Sequence, residues 1–232
     1  MEKMNLKLEG SQDFFTQEAY KTLRTNLQFC GQDIQVVVIT SCYENEGKTT
    51  ITLNLAQSLA ELGKKVLVID ADMRKSVIAG RNTDVKNPTG LSEVLTGMVK
   101  LSDSVYASQG DSRLHMIFSG KYPPNPVELL SGKYFKALLA ETRKVYDYVL
   151  IDTPPLGRVI DAAVVAPNCD GVILVMADNA VRSKQAQEVV AQLRKSDSKI
   201  LGVVRNSVAI RRRAYYGRGN KYYSAYRRGY GK

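Results

Sequence analysis

The sequence predicts an α/β fold in which a mainly parallel sheet is flanked by helices, with a flexible tyrosine-rich tail at the C-terminus. Two observations predict the sheet. Short runs rich in Val and Ile alternate with longer segments of helical character. The runs are apolar almost without interruption, as strands buried on both faces by crossover helices are.

The elements follow in chain order. Residues 16–29 have helical character, and the first strand, 35–41 (QVVVITS), comes after them. Helix 48–62 is followed by Gly63, where a left-handed C-cap sits. Strand 65–70 (KVLVID) and strand 114–118 (LHMIF) come next. Pro123 and Pro124 close the loop before helix 126–142, since proline cannot continue a helix interior. Strand 147–152 (DYVLID), helix 158–165, strand 171–176 (GVILVM), helix 182–195 and strand 199–205 (KILGVVR) complete a doubly wound pattern. From about 209 the apolar periodicity stops and Arg, Tyr and Gly take over, as in a mobile tail. The expected organisation is an N-terminal segment with a helix over 1–34, a nucleotide-type domain over 35–208, and a basic tail over 209–232.

Composition excludes several classes. With 232 residues, 44% of them hydrophobic and 24% charged, the chain is a globular domain with appendages. No run approaches the ~18–20 apolar residues of a membrane-spanning helix, and the N-terminus lacks a signal-peptide core, so a cytoplasmic location is expected. Cys30, Cys42 and Cys169 are odd in number and scattered, against a disulfide framework or a zinc site. His115 has no ligand partner nearby in sequence and is expected to be structural. Of the 33 basic residues eight fall in 211–232, which has no acid, leaving 25 basic against 23 acidic residues in the body. A nucleic-acid face would normally belong to the folded surface, so a nucleic-acid partner is not expected.

Strand 35–41 runs into Glu44, Asn45, Glu46, Gly47, Lys48, Thr49 and Thr50, then a helix. Strand, loop, Gly-Lys-Thr and helix is the context of a Walker A phosphate loop, which makes the predicted fold one of the P-loop NTPase type. Successive backbone N–H groups and the helix N-terminus cradle an anion, Lys48 adds a point charge, and the Thr49 hydroxyl suits Mg²⁺. Cys42 stands where the general pattern has its first glycine. Strand 65–70 ends in Asp70 and continues through Asp72 to Arg74; strand 147–152 ends in Asp152, a Walker B signal. Ligands of open parallel sheets bind beyond the carboxyl ends of strands, so the three ends are expected to share one crevice. Asp70 or Asp72 could accept the proton of a tyrosine phenol. Full early transfer from a phenol to an ordinary carboxylate is uphill by roughly 8 kcal/mol, so such a carboxylate mainly orients the nucleophile. Arg74 could stabilise charge on a transferring phosphoryl group.

EGKTT, VLVIDADMRK, DYVLIDTPP, GLSEVLTG (90–97), PPNPVELL (123–130) and DAAVVAPNCDGVILV (161–175) together resemble the bacterial tyrosine kinases of capsule and exopolysaccharide synthesis, over roughly residues 15–207 plus the tail. The resemblance implies Mg·ATP as phosphoryl donor, Asp70 as base, and Asp72 and Asp152 in the metal shell. It also implies Asn206 at the adenine, although the flanking Arg205 and Ser207 depart from the common pattern. Ser76 stands where the family often has proline. Glu18, Lys21 and Arg24 resemble the family's E-x-x-R-x-x-R assembly motif, with Lys21 in place of an arginine that would form a bidentate fork, and imply a homo-oligomer. A separate membrane-anchored activator is implied as partner, with recruitment to the inner membrane face. Partition and septum-positioning ATPases share this fold but carry a second lysine where this chain has Tyr43.

Six of the 13 tyrosines lie in the last 18 residues: Tyr215, Tyr216, Tyr222, Tyr223, Tyr226 and Tyr230. Beside kinase motifs they are expected phosphoacceptors; without them, a membrane- or RNA-binding tail would be the reading. Six phosphates would add roughly −9 to −12 charges, reversing the tail's sign.

Overall fold

The computed structural model describes residues 2–8 and 14–208. Within it eight strands form one sheet: β1 (Glu2–Met4), β2 (Val36–Ser41), β3 (Val66–Asp70), β4 (Tyr106–Ser108), β5 (Leu114–Ile117), β6 (Tyr148–Asp152), β7 (Gly171–Ala177) and β8 (Ile200–Asn206). Their order across the sheet is β1-β4-β5-β3-β6-β2-β7-β8. Every neighbouring pair is parallel except β4 with β5. All residues of β2, β3, β5 and β6 are buried, as their unbroken apolar runs require.

Alternate strand residues feed two cores because side chains switch face at each step. Val36, Val38, Leu67, Ile69, Val149, Ile151, Val172 and Leu174 face one layer. That layer consists of α3 (Leu91–Leu95), α4 (Pro126–Ser131), α5 (Lys133–Arg143), α6 (Asp161–Val165) and α7 (Ser183–Lys195). Val37, Ile39, Val66, Val68, Leu150 and Val175 face the other, built mainly from α1 (Phe14–Phe29) and α2 (Lys48–Glu61). Each such side chain contributes roughly 1.5–3 kcal/mol by leaving water.

The six predicted strands and the helices at α1, α2 and α7 form within two residues of their expected limits. Gly63 has φ 89°, the left-handed cap expected after α2. Two differences have local causes. The helix expected over 126–142 is divided at Gly132, whose backbone is extended (φ −71°, ψ 164°) and whose residue type is a poor helix former. The helix expected from 158 starts at Asp161, because the N–H groups of Arg158 and Val159 turn back to the Pro155 carbonyl (3.0 and 3.2 Å) and occupy 155–159 in a separate turn.

Sheet order places β3, β6 and β2 side by side with all carboxyl ends at one edge. Asp70 is in register with Asp152, and Asp152 with Ile39. No helix among the described residues is long and apolar enough to cross a membrane.

Candidate active site

β2 delivers the chain to Ser41, and α2 begins at Lys48. Between them Asn45 (φ 62°) and Gly47 (φ 86°) turn through the left-handed region, which glycine enters at no steric cost. The Glu46 carboxylate is buried and clamps the loop, accepting from Tyr43 N–H at 2.6 Å and from Ala177 N–H of β7 at 3.2 Å. Asn206, at the end of β8, donates from Nδ2 to the Glu46 carbonyl at 2.9 Å, and a Cβ on Gly47 would strike its carboxamide. Cys42 is buried; burial and the Glu46 carboxylate push its thiol up to about 11, so it packs as a neutral side chain. No side chain caps α2 at its start and no acid lies in its first turn, which contains Lys48, Thr49 and Thr50. Those first N–H groups therefore fit an anion.

The other two strand ends converge on that turn. Thr49 Oγ donates to Asp152 Oδ2 at 2.6 Å, and Lys48 Nζ lies 3.4 Å from Thr49 Oγ and 3.7 Å from Asp72 Oδ2. Asp152 is buried; its pKa is raised by burial, against the pull of Lys48 and the Thr49 hydroxyl. Asp70 is also fully buried, and burial together with the Asp152 charge pushes it up to about 7. Its Oδ1 accepts the Asp72 N–H at 3.2 Å and its Oδ2 accepts the Ser76 hydroxyl. Asp72 Oδ1 in turn accepts the N–H groups of Arg74 (3.3 Å) and Lys75 (2.9 Å), turning the loop back. Thr49, Asp72 and Asp152 offer hard oxygen donors, the set suited to Mg²⁺.

Arg74, two residues beyond Asp72, is half-exposed, with Nε held by the buried Asp161 at 3.0 and 3.2 Å. Lys75 reaches across to Glu44 of the phosphate loop at 3.0 Å, both side chains exposed.

A family model described as an AAA domain matches residues 35–201. The tyrosine-protein kinase CpsD of Streptococcus agalactiae serotype Ia is 40% identical over 194 residues, covering 84% of this chain and 83% of that one. The chain belongs to the bacterial tyrosine kinase family. The kinase domain of Escherichia coli tyrosine kinase ETK superposes with a TM-score of 0.78 at 34% identity, covering 82% of this chain and 75% of that one. The septum site-determining protein MinD of Pyrococcus horikoshii, solved with Mg-ADP, is less similar: TM-score 0.60, 28% identity, 74% and 70% coverage.

In this bacterial tyrosine kinase fold Lys48, Thr49, Asp70, Asp72 and Asp152 thus lie together beside the carboxyl ends of β2, β3 and β6, with Glu44, Asn45, Glu46, Gly47, Thr50 and Asn206 on the phosphate-loop side. Glu18, Lys21 and Arg24 lie apart, on α1. Lys21 pairs with Glu18 at 2.7 Å in solvent, whereas Arg24 turns inward and donates to the Ser58 carbonyl of α2 at 2.7 Å. The six tail tyrosines lie outside the described residues. Sequence reasoning gave Ser76 no role beyond its departure from proline, and gave Asp161 none. Asp161 sits inside a motif quoted above, but nothing in a linear pattern pairs it with Arg74, 87 residues away. His115 is buried in β5 between the Tyr146 hydroxyl (2.9 Å) and the Ser112 carbonyl (3.1 Å), a structural setting.

Proposed function

We propose that this kinase transfers the γ-phosphoryl group of Mg·ATP to tyrosine hydroxyls, those of its own C-terminal cluster among them. The observation that carries this reading is the convergence of Lys48, Thr49, Asp70, Asp72 and Asp152 at the ends of three adjacent strands. Lys48 and the uncapped start of α2 hold the phosphates; Thr49, Asp72 and Asp152 hold Mg²⁺. The metal supplies charge neutralisation on the phosphates. Asp70 orients the acceptor phenol and takes its proton late. Arg74, with Asp161 engaging only Nε, directs its terminal nitrogens toward the charge that develops on the phosphoryl group. Asn206 stands beside the nucleotide and steadies the loop through Glu46.

The acceptors in this reading are Tyr215, Tyr216, Tyr222, Tyr223, Tyr226 and Tyr230, modified between subunits of a homo-oligomer. An extended tail of 20 residues spans up to ~65–70 Å, enough for a neighbour's crevice. Glu18, Lys21 and Arg24 contribute to assembly. A membrane-anchored activator brings the kinase to the inner face of the cell membrane, and modification of the tail regulates polysaccharide synthesis. Residues 35–208 act as the kinase domain, with 1–34 as the assembly segment and 209–232 as the substrate tail.

The test mixes two variants: Lys48→Met with an intact tail, and an otherwise intact chain ending at 208. With Mg·ATP and an activator segment, phosphotyrosine is expected on the tail of the first, made by the second. ATP hydrolysis stimulated by DNA or lipid, with no phosphotyrosine on either chain, would instead mark a positioning ATPase.

A further inference from the structure

We infer that Ser76 is a positioning residue for the acceptor reaction, its hydroxyl holding the Asp70 carboxylate in the orientation that meets the phenol. The inference rests on Asp70 having the role proposed above.

Asp70 lies at the end of β3 with Asp152 beside it on β6, two buried carboxylates in register. Left to itself such a carboxylate would turn away from its neighbour, since like charges in a poorly solvated site repel strongly. Two donors oppose that rotation, one on each oxygen: the Asp72 N–H on Oδ1 and the Ser76 hydroxyl on Oδ2. Together they fix both side-chain torsions of Asp70.

The Ser76 hydroxyl is itself oriented. The Ile78 N–H, at the start of the π-helical turn Ile78–Asn82, donates to Ser76 Oγ at 3.3 Å. With an acceptor lone pair committed there, the hydroxyl proton is directed at Asp70. From the outer side the Tyr122 hydroxyl donates to the Ser76 carbonyl at 3.1 Å, tying this loop to the one after β5. The chain of contacts Ile78 to Ser76 to Asp70 has no equivalent on Asp152, whose oxygens go to Thr49 and Thr52 of α2. The sheet edge thus presents two carboxylates held by different elements, one toward the phosphate loop and one toward the loop that carries Ser76. Proline at position 76 would supply no donor, so this device belongs to the chain's own sequence.

The experiment measures steady-state phosphotyrosine formation by full-length chain for Ser76→Ala, Ser76→Thr, Asp70→Asn and the double variant Ser76→Ala/Asp70→Asn. Ser76→Ala is expected to lower kcat about tenfold with KM for Mg·ATP within about twofold of the parent, as a displaced orienting group does. Ser76→Thr, which keeps the hydroxyl, is expected to restore most of the rate. The double variant is expected to be no slower than Asp70→Asn alone, because Ser76 acts through Asp70. A crystal structure of Ser76→Ala is expected to have the Asp70 carboxylate rotated off the Asp72 N–H. Parental kcat in Ser76→Ala, multiplicative losses in the double variant, or a slow Ser76→Ala with Asp70 unmoved would each overturn the inference. Parental activity in Asp70→Asn would overturn the role of Asp70 itself, and is separable because it needs no change at Ser76.

Discussion

Asp70 and Asp152 carry the charge problem of this site, and their surroundings divide the work between them. Asp152 is beside Lys48 and the Thr49 hydroxyl, so it has partners for its ionised form. Asp70 has only hydrogen-bond donors and is pushed up to about 7 by burial and by Asp152. The unfolded chain would ionise it near 3.8. Between those values the folded state holds a proton that the unfolded state has released. Ionisation of Asp70 therefore subtracts stability progressively as pH rises from about 4 to about 7, and by a constant amount above that. Asp70→Asn has no such cost. The nucleotide-free variant should melt higher than the parent, by ~5 °C at pH 8 and by less at pH 5.5, in thermal unfolding scans; a difference independent of pH would contradict the assignment. Lys48→Ala should lower phosphotyrosine formation by roughly 10²–10³-fold in a labelled-ATP assay, since it removes the phosphate-loop cation. These five crevice residues were legible because strand ends of a parallel sheet must point the same way. Ser76 and Asp161 were not, because their partners, Asp70 and Arg74, are chosen by loop geometry that no residue pattern encodes.

At the scale of elements, the long apolar strands were legible because each run is buried on both faces and has no polar interruption. The three-residue strands β1 and β4 were not, being too short for any periodicity to register. Of two contacts between elements, one sets the phosphate loop and the other holds α1 on α2. Gly157, after β6, lies so close to the loop that a Cβ there would strike the Cys42 carbonyl. Gly157→Ala should therefore displace the loop and weaken binding of a fluorescent ADP analogue about tenfold or more by titration, with the far-UV spectrum unchanged. On the other face of the sheet, Arg24 of α1 reaches the Ser58 carbonyl and hydroxyl near the end of α2. A charged donor on a carbonyl is worth roughly 1–2 kcal/mol in a partly exposed setting. Arg24→Ala should lower the unfolding midpoint by ~2–6 °C, a loss that an exclusively intermolecular role for Arg24 would not produce in the monomer.

For the whole molecule, charge is segregated: 211–232 carries eight basic residues and no acid, while the rest of the chain is nearly balanced. That asymmetry is legible in sequence alone, and it sets what tail modification would do. Six phosphates add roughly −9 to −12 charges, converting a cation drawn to an acidic crevice into an anion repelled by it. We propose that this reversal is the switch, an unmodified tail being attracted to a neighbour's site and a modified one repelled. The decisive measurement for self-phosphorylation is mass spectrometry of the intact chain, then of its peptides, after incubation with Mg·ATP and an activator segment. Mass increments of whole phosphates are expected on tyrosines of 215–230, not formed when Mg²⁺ is chelated before ATP is added and absent in Lys48→Met. An unmodified chain that nonetheless turns over ATP, or modification that persists in Lys48→Met, would contradict that expectation.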